Sequence, residues 1–111
     1  MTTTREKILS FKNLEEGWCF TEGGPLQGNV IDRALSLLEA VDEAFKTDAF
    51  PGLNGEIELS IVKGIRSLDV IIESDERCTA ICEIYDKELF YKENLSVDQV
   101  REEVINFCKR K

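Results

Sequence analysis

The side chains in this sequence with the clearest capacity for chemistry are carboxylates that alternate with apolar residues. Glu58, Asp69 and Glu83 each lie in a segment with a period of two, which predicts β-strands whose polar residues face away from the core. Carboxylates gathered on one face of a sheet can bind a cation or attract a basic protein. What these three residues can do depends on the strands that hold them.

The histidine and cysteine content argues against catalysis. The chain has no histidine, which is the commonest general base and metal ligand near neutral pH. Its cysteines, Cys19, Cys78, Cys82 and Cys108, lack the short paired spacing of a zinc ribbon and the density of a secreted disulfide framework. We expect free thiols, no metal, no cofactor and no catalytic residue, so binding is favoured over enzymatic activity.

Charge and composition narrow the class of partner. The 111 residues include 14 Lys and Arg against 22 Asp and Glu, and this net charge of -8 disfavours nucleic acids and anionic membrane surfaces. A basic protein is the partner that the charge favours. The length and the 42% hydrophobic content predict a single domain over residues 1–111. Because no segment is apolar enough for a signal peptide or a membrane span, we expect a cytoplasmic location.

Capping boxes and helical periodicity predict three helices. Thr3 and Glu6 form a capping box before a helix over residues 4–13, and Ser96 and Gln99 form another before a C-terminal helix. Between them, apolar residues at three- and four-residue spacing predict a helix over residues 29–46. Its inward face is expected to comprise Val30, Ile31, Ala34, Leu35, Leu38, Val41 and Phe45.

Turn-forming residues interrupt the helices at two places. The first is an irregular connection around residues 17–28, where the rings of Trp18 and Phe20 are expected to fold over the core edge or to contact a partner. The second lies in DAFPGLNGEIELSIV, residues 48–62. Its Pro-Gly and Asn-Gly pairs predict a corner at which the helix ends and a strand begins, with Phe50 as the anchor of that corner.

Four strands are predicted after this corner. They begin near Glu56, Ser67, Cys78 and Glu88, and they are joined by short connections that favour antiparallel pairing of neighbours. The fold class is therefore expected to be α+β. It comprises a four-stranded antiparallel meander sheet packed on one face by helices, in the order α-α-β-β-β-β-α.

Several short motifs carry a resemblance to a group of small bacterial proteins. These motifs are "GW" at residues 17–18, "GGP" at residues 23–25, the helix with Ala34, Leu37 and Leu38, and "FPGLNGEIEL" at residues 50–59. The likeness covers residues 16–85 and implies an α+β meander fold. The group brings no established activity and no site residues. An aromatic residue common after its Gly-x-Ile segment is absent here, where Ser60, Ile61 and Val62 stand.

A register with the shortest connections brings the carboxylates together. We expect Leu59 to oppose Val70 and Val70 to oppose Cys82, which keeps every inward residue on one face. The outer face then holds one row of Glu58, Ile71 and Ile81 and a second row of Ser60, Asp69 and Glu83. Like charges directly opposite each other are destabilising, so Asp69 and Glu83 would invite a counter-charge.

Two functional hypotheses follow, beside the plain alternative of a solvated acidic face. The first is a small acidic, non-catalytic interaction protein of the inhibitor, antitoxin-like or immunity-like kind. Its outer face would dock a basic protein through Ile71 and Ile81, with acidic residues steering the encounter. The second is a small enzyme or cation-binding protein that uses Glu58, Asp69 and Glu83. The sequence leaves the oligomeric state open.

Overall fold

The computed structural model describes residues 3–19, 23–75 and 77–109 of the chain. Its helices are α1 (Thr4–Ser10), which continues into a 3₁₀ turn at Phe11–Asn13, α2 (Gly28–Glu39) and α3 (Val97–Lys109). Its strands are β1 (Lys46–Pro51), β2 (Ile57–Lys63), β3 (Arg66–Ile72), β4 (Cys78–Ile84) and β5 (Lys87–Leu95). No helix in these described ranges is long and apolar enough to cross a membrane.

Both predicted capping boxes are confirmed. The Thr3 hydroxyl accepts a hydrogen bond from the Glu6 backbone N–H at 3.1 Å, and the Glu6 carboxylate returns to the Thr3 backbone. At α3, the Ser96 hydroxyl accepts from the Gln99 N–H at 3.2 Å, and the Gln99 amide oxygen accepts from the Ser96 N–H at 2.8 Å. These reciprocal bonds satisfy N–H groups that a helix start otherwise leaves unpaired.

The strands form one antiparallel sheet in the order β1-β2-β3-β4-β5, so each strand lies beside its neighbour in the chain. Helices α2 and α3 pack on one face of this meander, α2 against β2 and β3 and α3 against β3 and β4. In the three central strands the predicted alternation is confirmed except at Thr79 of β4, which lies on the opposite face from Cys78 and Ala80 and is nevertheless buried, with 7% of its surface exposed. The fully or almost fully buried residues on the inner face of these strands are Ile57, Leu59, Ile61, Leu68, Val70, Ile72, Cys78, Ala80 and Cys82.

The α+β class is confirmed, but the prediction of four strands is wrong because a fifth strand precedes the others. Helix α2 ends at Glu39 rather than at Lys46, and Lys46 begins β1. The helix stops because Asp42 builds a turn, in which its carboxylate accepts from the Ala44 N–H at 2.9 Å and its carbonyl from the Phe45 N–H at 3.0 Å. Phe45 is buried as expected, but it reaches the core from this turn.

The inward face of α2 also differs from the predicted face. The fully or almost fully buried residues of the helix are Val30, Ile31, Ala34 and Leu37, while Leu35, Leu38 and Val41 are only partly buried at the core margin. The ring of Phe45 packs instead on Phe107 of α3, with the ring centroids 5.5 Å apart. The helix therefore faces the sheet through a narrower stripe than its sequence indicates.

The Pro-Gly-Leu-Asn-Gly stretch is a hairpin loop between β1 and β2, not a corner between a helix and a strand. Its ends are joined by a hydrogen bond from the Gly52 N–H to the Glu56 carbonyl at 2.8 Å. Gly55 has a φ of 83°, the left-handed conformation that glycine adopts most readily. Phe50 does not anchor a corner; it lies on β1 with 44% of its surface exposed.

The glycine-rich connection before α2 is folded around Trp18. The indole N–H donates to the Gly24 carbonyl at 2.9 Å, and the ring is half-buried against Gly23, where an added Cβ would lie 2.7 Å from the indole nitrogen. Trp18 is thus held mainly by its own loop. Phe20, for which the sequence suggested a similar position, lies outside the described residues.

Candidate functional site

The candidate site lies on the sheet face opposite α2 and α3, which we call the outer face. The predicted pairing of Leu59 with Val70 is confirmed, but Val70 opposes Ala80 rather than Cys82. The β3–β4 hairpin is two residues tighter than expected because the Glu73 N–H donates to the Arg77 carbonyl at 2.9 Å. A shift of two residues preserves the face on which each side chain lies.

The corrected register changes which predicted site residues are neighbours. Glu58 opposes Ile71 as expected, but Ile71 then opposes Thr79, and Ile81 opposes Asp69. Glu83 opposes Ser67, so the predicted contact between Asp69 and Glu83 is wrong. The outer face therefore has one row of Phe50, Glu58, Ile71 and Thr79, a second of Asp48, Ser60, Asp69, Ile81 and Tyr91, and a third that includes Ser67 and Glu83.

The first row contains a depression of about 220 Å³. Phe50, Pro51 and Ile71 supply apolar surface to it, and Glu58 supplies a carboxylate from the strand between them. Gly52 and Glu56 of the β1–β2 loop close one end. The arrangement is an apolar recess with an acidic group inside it, which matches a long aliphatic side chain that ends in a positive charge.

The position of Glu58 on the outer face disfavours the charged form of its carboxyl group. Desolvation by partial burial is the main cause that raises its pKa above 4.5, and the negative charge of Asp69 raises it further. Both causes disfavour the ionised form. A cation placed beside Glu58 would offset both the desolvation and the repulsion by Asp69. The ionised carboxylate would therefore be stabilised more by a positive partner than a fully solvated carboxylate would be.

The chain's own Lys7 shows how this face holds a cation. Its ammonium group lies 2.7 Å from the Asp48 carboxylate and 4.4 Å from the centre of the Phe50 ring. The hydrogen bond from Lys7 is the largest cause that lowers the pKa of Asp48, followed by the bond from the Ala49 N–H. A carboxylate and an aromatic face thus act on one ammonium group at the edge of the outer face.

Two aromatic residues of the site were not assigned to it from the sequence. Phe50 was not assigned to a strand because the buried residue of β1 is the small Ala49, and a single small apolar residue does not predict a strand. Tyr91 opposes Ile81 with 52% of its surface exposed, and only the register of β5 reveals that neighbour. The alternation of Asp48 and Phe50 on one face with Ala49 on the other is the sequence pattern that could have indicated β1.

The carboxylates of the outer face do not form a metal cluster. Within the described ranges, no group of three or more His, Cys, Asp or Glu residues is arranged to hold a metal ion. Glu58, Asp69 and Glu83 lie in three successive rows, which separates the outer two. The buried Cys78 is also unsuited to ligation as a thiolate, since burial raises its pKa to about 11.

Comparison of the chain with protein-family models, with curated proteins and with solved structures finds no match. The likeness to small bacterial α+β proteins, the cytoplasmic location and the basic partner therefore stay predictions.

Proposed function

We propose that the protein is a small acidic interaction module whose outer face binds a basic protein, as an inhibitor or an immunity-type partner does. The observation that supports this most is the depression formed by Phe50, Glu58 and Ile71, because it combines apolar surface with a partly desolvated carboxylate. A lysine or arginine of the partner would place its aliphatic stem between the two apolar side chains and its charge beside Glu58.

The second row extends the docking surface. Ile81 and the exposed Tyr91 provide apolar contact area next to Asp69, a mixture typical of interface centres that are rich in aromatic residues. The net charge of -8 would steer a basic protein toward encounter at low ionic strength. The apolar area of Ile81 and Tyr91 favours a protein partner over a bound metal ion, because a metal ion is held by oxygen ligands and makes no use of apolar surface.

A defined peptide tests the proposal. A fluorescent peptide in which arginine alternates with apolar residues is titrated with the full chain, and its anisotropy is measured at low and at high salt. We expect saturable binding that weakens as salt rises, and no binding of a peptide that carries glutamate in place of arginine. Ile71→Lys and Ile81→Lys should abolish binding because each places a positive charge at the centre of the surface.

The matched control is Ile65→Lys, which makes the same chemical change in the β2–β3 turn. Ile65 is 49% exposed and lies outside the depression, so this variant should bind the basic peptide as wild type does. Circular dichroism of each variant establishes that it is folded. If folded Ile71→Lys and Ile65→Lys bind equally well, the outer face is a solvated surface and the proposal is wrong.

A further inference from the structure

A second concave site lies on the helical side of the sheet. It is a cleft of about 810 Å³ between α2, the β3–β4 turn and the first turn of α3. Three of the chain's six arginines line it, Arg33 from α2, Arg77 from the turn and Arg101 from α3. In a chain of net charge -8, this is a marked local concentration of guanidinium groups.

Burial separates the charges of the cleft into an inner wall and a rim. Among the described residues that line the cleft, the half-buried inner ones include two positive charges and no negative charge; they are Asn29, Arg33, Ser36, Ser96, Val97 and Arg101. The exposed rim holds Arg77 together with Asp32, Asp75 and Asp98. An anionic group inside the cleft would therefore meet guanidinium, hydroxyl and amide donors, while the carboxylates would remain at the entrance.

Two features of the helices prepare this inner wall for an anion. Arg101 donates a hydrogen bond to the Ser36 hydroxyl, which ties α3 to α2 and fixes the guanidinium across the cleft. Helix α2 begins beside the cleft with no side-chain cap at Gln27 and no acidic residue in its first turn. The positive end of its dipole therefore acts on the cleft without a carboxylate of its own first turn to offset it.

We propose that this cleft binds a small phosphate monoester that also carries amino or hydroxyl groups. Arg33 and Arg101 would hold the phosphate oxygens with planar, charge-assisted hydrogen bonds, and Arg77 would approach from the rim. The three aspartates would accept hydrogen bonds from the remainder of the ligand. The same aspartates, with the net negative charge of the chain, repel long polyanions, so the ligand is a small molecule and not a nucleic acid.

Calorimetric titration of the full chain with inorganic phosphate, phosphoethanolamine and malonate tests the site. We expect saturable binding of both phosphate compounds, with phosphoethanolamine tighter because its ammonium group pairs with the acidic rim. Arg77→Gln should weaken both by about tenfold or more, the usual effect of losing one charge-assisted hydrogen bond. Arg77 lies on an exposed turn, so this variant keeps the packing of the helices.

Arg5→Gln is the matched control, because Arg5 lies on α1 and is 3.8 Å from Glu39, outside the cleft. It should leave both affinities unchanged. The proposal is overturned if neither phosphate compound binds, or if Arg77→Gln and Arg5→Gln have the same effect. Malonate binding as tight as that of inorganic phosphate would overturn the assignment to a phosphate ester, and phosphoethanolamine weaker than inorganic phosphate would overturn the role of the rim.

Discussion

Truncation of Leu59 to alanine measures how far the fold depends on the inner face of the sheet. Leu59 lies in β2 with 0% of its surface exposed, between Ala49 of β1 and Val70 of β3. The substitution removes three carbons, and transfer alone at about 0.8 kcal/mol per buried methylene corresponds to about 2.4 kcal/mol. The cavity that remains adds to this loss, because Ala49 is too short to fill it and strand backbones move little.

We therefore expect Leu59→Ala to lower the free energy of unfolding by about 3 to 5 kcal/mol, in the upper part of the range for buried leucines. Such a loss is a large share of the roughly 5 to 15 kcal/mol that stabilises a domain. Urea denaturation followed by far-ultraviolet circular dichroism measures it, with the slope of the transition expected to stay unchanged.

Leu53→Ala provides the matched control for this experiment. Leu53 lies in the β1–β2 loop and is 43% exposed, so the same chemical change should cost well under about 1 kcal/mol there. If both variants shift the denaturation midpoint by the same amount, Leu59 is not in the core. The assignment of inner and outer faces, on which the docking surface depends, would then be wrong.

Three further predictions concern single residues. Gly55→Val should destabilise the protein more than a typical surface change, since the φ of 83° strains a β-branched residue, and urea denaturation would show it; wild-type stability would refute the left-handed turn. The raised pKa of Glu58 means that the folded state binds this proton more tightly than the unfolded chain does. The free energy of unfolding of wild type relative to Glu58→Gln should thus fall as pH rises above 4.5, and a difference that stays constant with pH would contradict the raised pKa. Cys78, with a pKa of about 11, should resist alkylation in the folded state at pH values well below 11 and react once urea unfolds the chain; equal rates in both states would contradict its burial.

The elements with strong local signals could be predicted from the sequence. Strands β2 and β3 alternate between leucine, valine or isoleucine on one face and mainly polar residues on the other, so their buried face was readable without knowledge of neighbours. In β4 the buried residues are the small Cys78, Ala80 and Cys82, and the same period of two indicated their face. The starts of α1 and α3 were equally readable, because a capping box is a contact between residues three apart. In these places local chemistry and the global fold agree.

The remaining features depend on contacts that no local pattern encodes. The helical spacing of apolar residues continues through Val41 and Phe45, up to the residue before β1. The turn at Asp42 and the pairing of β1 with β2 are what end the helix and make the following residues extended. The register of β4 depends on how the β3–β4 hairpin closes, and an error of two residues there created a false contact between Asp69 and Glu83. The period of two shows on which face of the sheet a side chain lies, whereas the geometry of the hairpin turn decides which residue of the next strand it opposes.

The distribution of charge relates the two proposed sites to each other. The acidic residues of the outer face lie on one side of the sheet, whereas Arg33 and Arg101 lie on the helices that pack on the other side, and Arg77 lies on the hairpin turn at the end of the sheet. Under the proposed function, a basic protein would be attracted to the acidic residues of the outer face, away from the opening of the cleft. It would therefore dock with the cleft still open to solvent. The acidic rim and the net charge together would keep polyanions from that opening, so the two proposed sites would select partners of different size as well as different charge.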